Sequence, residues 1–223
     1  MKYIVEFKKT GVICFTSHLD ILKVFKRSFK RAGIRLAYSQ GFNPHPKMGF
    51  AQPLSLGYEG LEEYVEFDTA EDYKDMNAGE ILEALRGIMP EGLELVSIKE
   101  APELKKTLAS MTYAAEYTIR IPVPEDFGFP AEEIYNKYMG QDVIETLKKQ
   151  KKKKDLVTVN IKPKIRDIKF DVSDGILTAE MCLDSGSESN LSPELVINTL
   201  LKSLELDTER SNIEVTRTKI QFK

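Results

Sequence analysis

Hydrophobic period changes along this chain of 223 residues in an order that occurs twice. Alternation of apolar and polar residues over Lys2 to Phe7 predicts a strand, because successive side chains of extended backbone face opposite ways. A helix follows, opened by Ser17 as N-cap with Asp20 placed to return a carboxylate to the cap's backbone amide, and closed by Gly33 at positive φ. Leu22, Phe25, Phe29 and Ala32 form its apolar stripe. Strands are expected from Met48 to Leu56 and from Glu62 to Phe67. Asn77 and Glu80 then cap a second helix, with Ile81, Leu82, Leu85, Ile88 and Met89 on its apolar face and Pro90 and Gly92 at its end. A strand at Leu93 to Lys99 completes the set. Beyond a linker at Pro102 to Ser110, the series resumes with a strand at Tyr113 to Pro122 and a short helix near Ala131 to Met139. A lysine-rich connection leads to a hairpin of Ile168 to Val172 with Ile176 to Leu183, turned at Ser173-Asp174-Gly175. Ser192-Pro193-Glu194 starts a last helix through Leu204, and Ile213 to Phe222 closes as a strand.

Each series reads βαββαβ, so the expected class is α+β: tandem ferredoxin-like repeats with antiparallel sheets, residues 1–102 and 111–223, the second carrying the Lys-rich insertion. Such a platform serves many functions and proves none. Hydrophobic residues at 42% and charged residues at 30% are ordinary for a globular chain. The start, Met1-Lys2-Tyr3-Ile4-Val5-Glu6, lacks a signal peptide's apolar core, and no apolar run is long enough for a bilayer, so a cytoplasmic protein is expected. Cys14 and Cys182 stand far apart in apolar surroundings and read as buried thiols; without a CxxC pair the chain encodes no cysteine metal site or iron-sulfur cluster. A phosphate-binding GxxxxGK loop and a dinucleotide fingerprint are missing, which removes the common NTPase and dehydrogenase classes.

Functional punctuation is concentrated early. Both histidines, His18 and His45, lie within Ser17-His18-Leu19-Asp20 and Tyr38-Ser39-Gln40-Gly41-Phe42-Asn43-Pro44-His45-Pro46-Lys47. Two prolines, a glycine and an asparagine restrict the second segment to a rigid loop suited to recognition. Between them Lys23, Lys26, Arg27, Lys30 and Arg31 recur at helical spacing and Arg35 follows, a row that can track phosphates or simply meet water. Residues 1–50 hold 10 basic and 2 acidic side chains, whereas 51–100 hold 3 and 13. The overall charge of -3 therefore hides a two-sided distribution, and local potential decides binding. A second run, Lys148, Lys149, Lys151, Lys152, Lys153 and Lys154, followed by Lys162, Lys164, Arg166 and Lys169, is either a contact surface or a solvated loop. Without Trp or an aromatic RNP motif, nucleic-acid contact is expected to be phosphate-led. His18, Asp20 and His45 are the candidates for chemistry, as an open metal site or a proton-transfer pair. The alternative is structural: Asp20 caps the helix while the histidines hydrogen-bond the loop. Two-residue spacing keeps His18 and Asp20 off a common helix face.

These motifs, with Arg31-Ala32-Gly33, Pro53-Leu54-Ser55-Leu56-Gly57 and Glu63-Tyr64, and more loosely the later lysine-rich stretch, Ser192-Pro193-Glu194 and Arg217-Thr218, resemble an uncharacterised bacterial radical-SAM-associated (radical SAM-linked) domain family in its stand-alone form. The resemblance implies a radical SAM protein as partner, which would carry the iron-sulfur cluster and S-adenosylmethionine; no cofactor is expected in this chain. It transfers motif positions, Ser17, His18, Asp20, Tyr38, Ser39, Gly41, Phe42, Asn43, His45 and Lys47, and no catalytic assignments. The expected function is an accessory substrate-binding protein in modification of structured RNA, tRNA or rRNA. Lys23, Lys26, Arg27, Lys30, Arg31, Arg35 and Lys151 to Lys154 are the expected RNA contacts. One alternative is a metal-independent endoribonuclease resembling CRISPR repeat-processing enzymes, whose typical glycine-rich loop is only faintly echoed by Ser185-Gly186-Ser187. Another is a protein-protein module whose acidic residues 51–100 dock the partner.

Overall fold

Strand β1 (Lys2–Lys9) buries Tyr3, Val5, Phe7 and Lys9 and leaves the intervening residues half-exposed, the period of two that a pleated strand imposes. The inward face thus continues one position past its last apolar residue. The computed structural model describes residues 1–73, 76–149 and 156–223. It divides into two units, Met1–Thr112 with Arg217–Lys223, and Tyr113–Thr216. No helix among the described residues is long and apolar enough to cross a membrane.

In the first unit β1 leads through a 3-10 turn (Gly11–Phe15) to helix α1 (His18–Arg31), then β2 (Met48–Phe50), β3 (Glu59–Asp68), α2 (Ala78–Arg86) and β4 (Leu93–Glu100). β1 lies between β4 and β3, β2 pairs with β3, and these three pairings are antiparallel. Tyr3, Val5, Phe7, Val65 and Phe67 of the sheet form one core with Ile21, Phe25 and Phe29 of α1 and Ile81 and Leu85 of α2. Fully buried side chains such as Phe25 and Phe29 each contribute about 1.5–3 kcal/mol relative to exposure. The stripe of α1 is centred one residue earlier than expected: Ile21 is buried and Leu22 only half-buried. Seated on Phe25 and Phe29, the helix turns Ile21, four residues before Phe25, toward the sheet.

Both ends of α1 follow their sequence signals. Ser17 Oγ accepts from Asp20 N at 3.2 Å. The Asp20 carboxylate does not return to the cap's amide as expected; it takes the Ser17 hydroxyl at 2.7 Å and the Lys23 ammonium at 2.8 Å, a charged donor being the stronger partner. At the other end Gly33 has φ +73°. Gly33 N donates to Lys30 O and Ile34 N to Phe29 O, a Schellman closure.

The second unit holds most of β5 (Thr112–Pro122), then α4 (Ala131–Met139), β6 (Glu145–Lys149), β7 (Leu156–Asn160), β8 (Ile165–Ser173), β9 (Ile176–Asp184), α5 (Pro193–Leu204) and the start of β10 (Glu214–Phe222). β9 pairs antiparallel with both β5 and β8. Asp174 and Gly175 both have positive φ, the two-residue turn its Asp-Gly signal specifies. Tyr138 on α4 and Thr199 on α5 share a hydroxyl hydrogen bond at 2.7 Å, and burial pushes the Tyr138 phenol up to about 12. The fold is therefore mixed α+β with a mostly antiparallel sheet.

Several expectations are corrected. The strand expected to run from Met48 to Leu56 stops at Phe50, where Pro53 cannot donate to a ladder. The Pro102–Ser110 linker ends in helix α3 (Leu108–Met111), whose buried Leu108 packs with Ala51 and Ile220. The lysine-rich connection is flanked by the paired strands β6 and β7; Lys151, Lys152, Lys153 and Lys154 lie outside the described residues. Ser192 occupies the N-cap of α5 without a side-chain cap hydrogen bond. Cys14 is buried within the 3-10 turn, but Cys182 is only half-buried. At the chain's end Arg217–Lys223 join the first unit, where the Arg217 guanidinium has its partners.

Candidate nucleic-acid interface

Helix α1 turns two different chemistries outward from its buried stripe. Along one face Lys23, Arg27, Lys30 and Arg31 are exposed and Lys26 is half-buried. Lys23 is held by Asp20, and Arg35 pairs with Asp72 at 2.9 Å beside the Tyr73 ring. No ion pair to a described residue engages Lys26, Arg27, Lys30 or Arg31. An open cleft of about 620 Å³ runs beside them, lined among others by Lys26, Arg27, Lys30, Arg35, Tyr38 and Pro46. Its size suits a small ligand, and its lining carries formal positive charge only.

The far wall of this cleft belongs to the Gly41 loop, which is built as a narrow hairpin. Ala37 N donates to Asp68 O and Lys47 N to Ala37 O, each at 2.7 Å. Tyr38 and Pro46 form an antiparallel bridge. Ser39 N donates to His45 O at 2.8 Å, and His45 N returns a bond to Ser39 Oγ at 3.0 Å. Gly41 at φ +130° lets the tip reverse. Phe42, Asn43 and His45 are exposed there. The Ser39 and His45 main chains thus secure the loop, while the exposed His45 imidazole remains clear of that task.

At its N-terminal end α1 meets an inner group of charges. The His18 ring stands edge-on to Phe50, centroids 5.1 Å apart. It borders a cavity of about 20 Å³, also lined by Phe7, Lys9, Gln52 and Glu63, about the space one water fills. Lys9, Glu63 and Arg217 occupy inward positions of β1, β3 and β10. Arg217, 1% exposed, holds Glu63 through a two-point ion pair, its Nε 2.7 Å from Oε1. The same guanidinium donates to the Pro53 carbonyl at 3.2 Å and the Gln52 carbonyl at 2.9 Å. Lys9 Nζ donates to the Cys14 and Thr16 carbonyls at 3.2 and 3.1 Å. Gly60 makes room, since a Cβ there would lie 2.6 Å from the Glu63 side chain. Burial, with Lys9 and Arg217 adding to it, holds the His18 imidazole below its ordinary range. Burial likewise lowers the Lys9 ammonium and raises the Cys14 thiol. Burial and the neighbouring Lys9 and Arg217 thus favour the uncharged form of the His18 imidazole.

The three residues singled out for chemistry are engaged separately. Asp20 serves Ser17 and Lys23, His18 faces Phe50 and the small cavity, and His45 sits on the loop and does not line that cavity. Among the described residues no three His, Cys, Asp or Glu side chains gather as a metal-ligand set. Part of the acidity of residues 51–100 is spent internally, on Lys2 through Glu66, Lys8 through Glu94, Arg35 through Asp72 and Arg217 through Glu63. Sequence reasoning took Glu63 and Arg217 only as motif positions and passed over Lys9. Their signal was available as a charge at the next inward position of an alternating strand.

No curated protein matches the chain in sequence. In structure it is similar to a chain of a Cbf5-Nop10-Gar1 complex crystal structure, with a TM-score of 0.53 and 12% identity over 98% of this chain and 48% of that one. It spans about half the length of that neighbour, and at such identity the likeness concerns fold alone. An unknown protein from Galdieria sulphuraria, 11% identical, covers 100% of this chain and 98% of that one at a TM-score of 0.29, too loose a superposition to support argument. A family model matches residues 2–193, and the chain belongs to that family, described as an uncharacterized protein conserved in bacteria (DUF2344).

Proposed function

We propose that this member of an uncharacterized bacterial family is an accessory RNA-binding protein that delivers structured RNA, tRNA or rRNA, to a radical SAM enzyme. The observation that carries the RNA half of the reading is the row of Lys26, Arg27, Lys30 and Arg31, for which no ion pair to a described residue is found, beside a cleft of about 620 Å³. Exposed cations release bound counterions when they meet phosphates, which supplies affinity without sequence preference. The βαββαβ order of the first unit, with β1 between β4 and β3 and β2 beyond β3, supports a ferredoxin-like reading of that unit. In the second unit the same reading treats β6 and β7 as a hairpin inserted into the series. The radical SAM half follows from the resemblance of the Ser17-His18-Leu19-Asp20 and Gly41-to-Lys47 motifs, and the cluster and S-adenosylmethionine would belong to the partner.

The test is reconstitution with the proposed radical SAM partner. Adding this protein should raise the partner's RNA affinity or turnover, and His45→Ala should reduce that gain without lowering the melting temperature. Alone it should leave RNA uncut and unmodified. Site-specific cleavage of a hairpin RNA by the purified protein, abolished in a normally melting His18→Ala or His45→Ala variant, would replace this reading with the endoribonuclease one.

A further inference from the structure

The Gly41 hairpin carries two aromatic side chains in a setting that RNA phosphates alone do not explain. Phe42, at the tip, is fully exposed, and Tyr38, at the base, is 55% exposed and lines the cationic cleft. Leaving a phenyl ring in water forgoes the stabilisation that burial would give. Isolated exposed apolar residues are common, but this one stands on a loop pinned by the Ser39 and His45 main chains, the Tyr38 to Pro46 bridge and two prolines. A ring presented on such a support loses little freedom when it meets a ligand. Cations line the same cleft: Lys26, Arg27 and Lys30 from α1, with Arg35 just beyond it. Lys26 and Lys30, four residues apart, are separated by about 6 Å along the helix axis.

We infer that the cleft between α1 and the Gly41 hairpin takes an unpaired nucleotide of RNA, a loop or bulge base stacked on Tyr38 or Phe42 with its flanking phosphates on Lys26, Arg27 and Lys30. This rests on the RNA-binding reading and deepens it, since a purely phosphate-led surface would treat paired and unpaired RNA alike. Aromatic faces accept any base, whereas in a duplex those faces are stacked away. An anionic membrane is the competing partner for a phenyl tip near cations. It is disfavoured because the cations line a concave cleft together with Tyr38, and one phenyl at a tip offers little apolar surface for insertion.

The experiment measures binding of the full-length protein to four probes: a hairpin RNA with an unpaired loop, the same hairpin with an abasic loop, a blunt duplex of equal charge, and vesicles of phosphatidylcholine and phosphatidylserine in equal parts. The loop hairpin should bind at least about tenfold more tightly than the abasic hairpin or the duplex, and Phe42→Ala or Tyr38→Leu should erase that advantage while leaving duplex binding unchanged. Melting temperature confirms that each variant folds. Equal binding of all three RNAs, unaffected by either substitution, overturns the nucleotide site and leaves the phosphate reading standing. Absence of binding to any RNA at low salt overturns both, and vesicle binding that requires Phe42, without loop preference in RNA, reassigns the hairpin to a membrane.

Discussion

Two charged regions share helix α1, and the environment of their charges is opposite. At the helix's start, Lys9, Glu63 and Arg217 are each at most 3% exposed, and every one has named hydrogen-bond partners. Along its outer face, Arg27, Lys30 and Arg31 are exposed and have no ion pair to a described residue. A buried charge must be matched where it stands, because the interior cannot screen it. An exposed cation is already solvated and can exchange that water for a phosphate at small cost. The inner charges therefore read as architecture and the outer ones as binding capacity, although both are simply Lys, Arg and Glu in the sequence.

The sharpest way to break this distinction is to unpair the inner group. Arg217→Met leaves the Glu63 carboxylate buried without its cation and should cost about 3–5 kcal/mol, read as a lower urea midpoint. Adding Glu63→Leu should recover much of the loss, since an apolar pair can replace a buried ion pair. An unchanged midpoint in Arg217→Met would mean that the group is not structural. Next in size, Ser17→Ala removes the hydroxyl that caps α1 and holds Asp20; about 1 kcal/mol of stability should go with it. Loss of RNA affinity exceeding that seen on heating wild type to the same stability would show that this end of the helix also contacts ligand.

The smallest effect concerns pH. The folded state lowers the His18 pKa from its ordinary 6.5 through burial and the nearby Lys9 and Arg217, so below that pH the unfolded chain binds a proton that the folded protein resists. The contribution of His18 to stability is constant above about pH 6.5 and falls as pH drops from there toward the folded pKa. Urea midpoints of wild type should decline over that window more steeply than those of His18→Gln. Parallel profiles would place His18 outside the influence of the inner cations.

Much of the architecture was legible because its signals are local. The Asn77 and Glu80 capping box is reciprocal in the structure, Asn77 Oδ1 accepting from Glu80 N and the Glu80 carboxylate from Asn77 N. Gly33 and the Asp174-Gly175 turn likewise adopt the positive φ for which their residues are suited. The inner charged group was not legible for the opposite reason. Glu63 and Arg217 are 154 positions apart, and a lysine after Tyr3, Val5 and Phe7 looks like the end of a strand, although its alternation places it inside. The cationic row was visible as a spacing. Which of its members pair with described residues was not, since Arg35 is matched by Asp72 from a distant loop and Lys23 by Asp20 within the same helix. Phe42 was noticed only as part of a motif, because exposure of one residue at a loop tip depends on the fold beneath it.

The salt dependence of RNA affinity tests most directly whether the α1 cations for which no ion pair to a described residue is found bind RNA phosphates. Wild type should bind a structured RNA with affinity that falls steeply as salt rises. Lys26→Glu, Arg27→Glu and Lys30→Glu together should weaken binding at least about tenfold and flatten the log-log slope by roughly 0.7–0.9 for each phosphate that the protein no longer neutralises. An unchanged affinity and slope in a triple variant that melts like wild type would contradict the account.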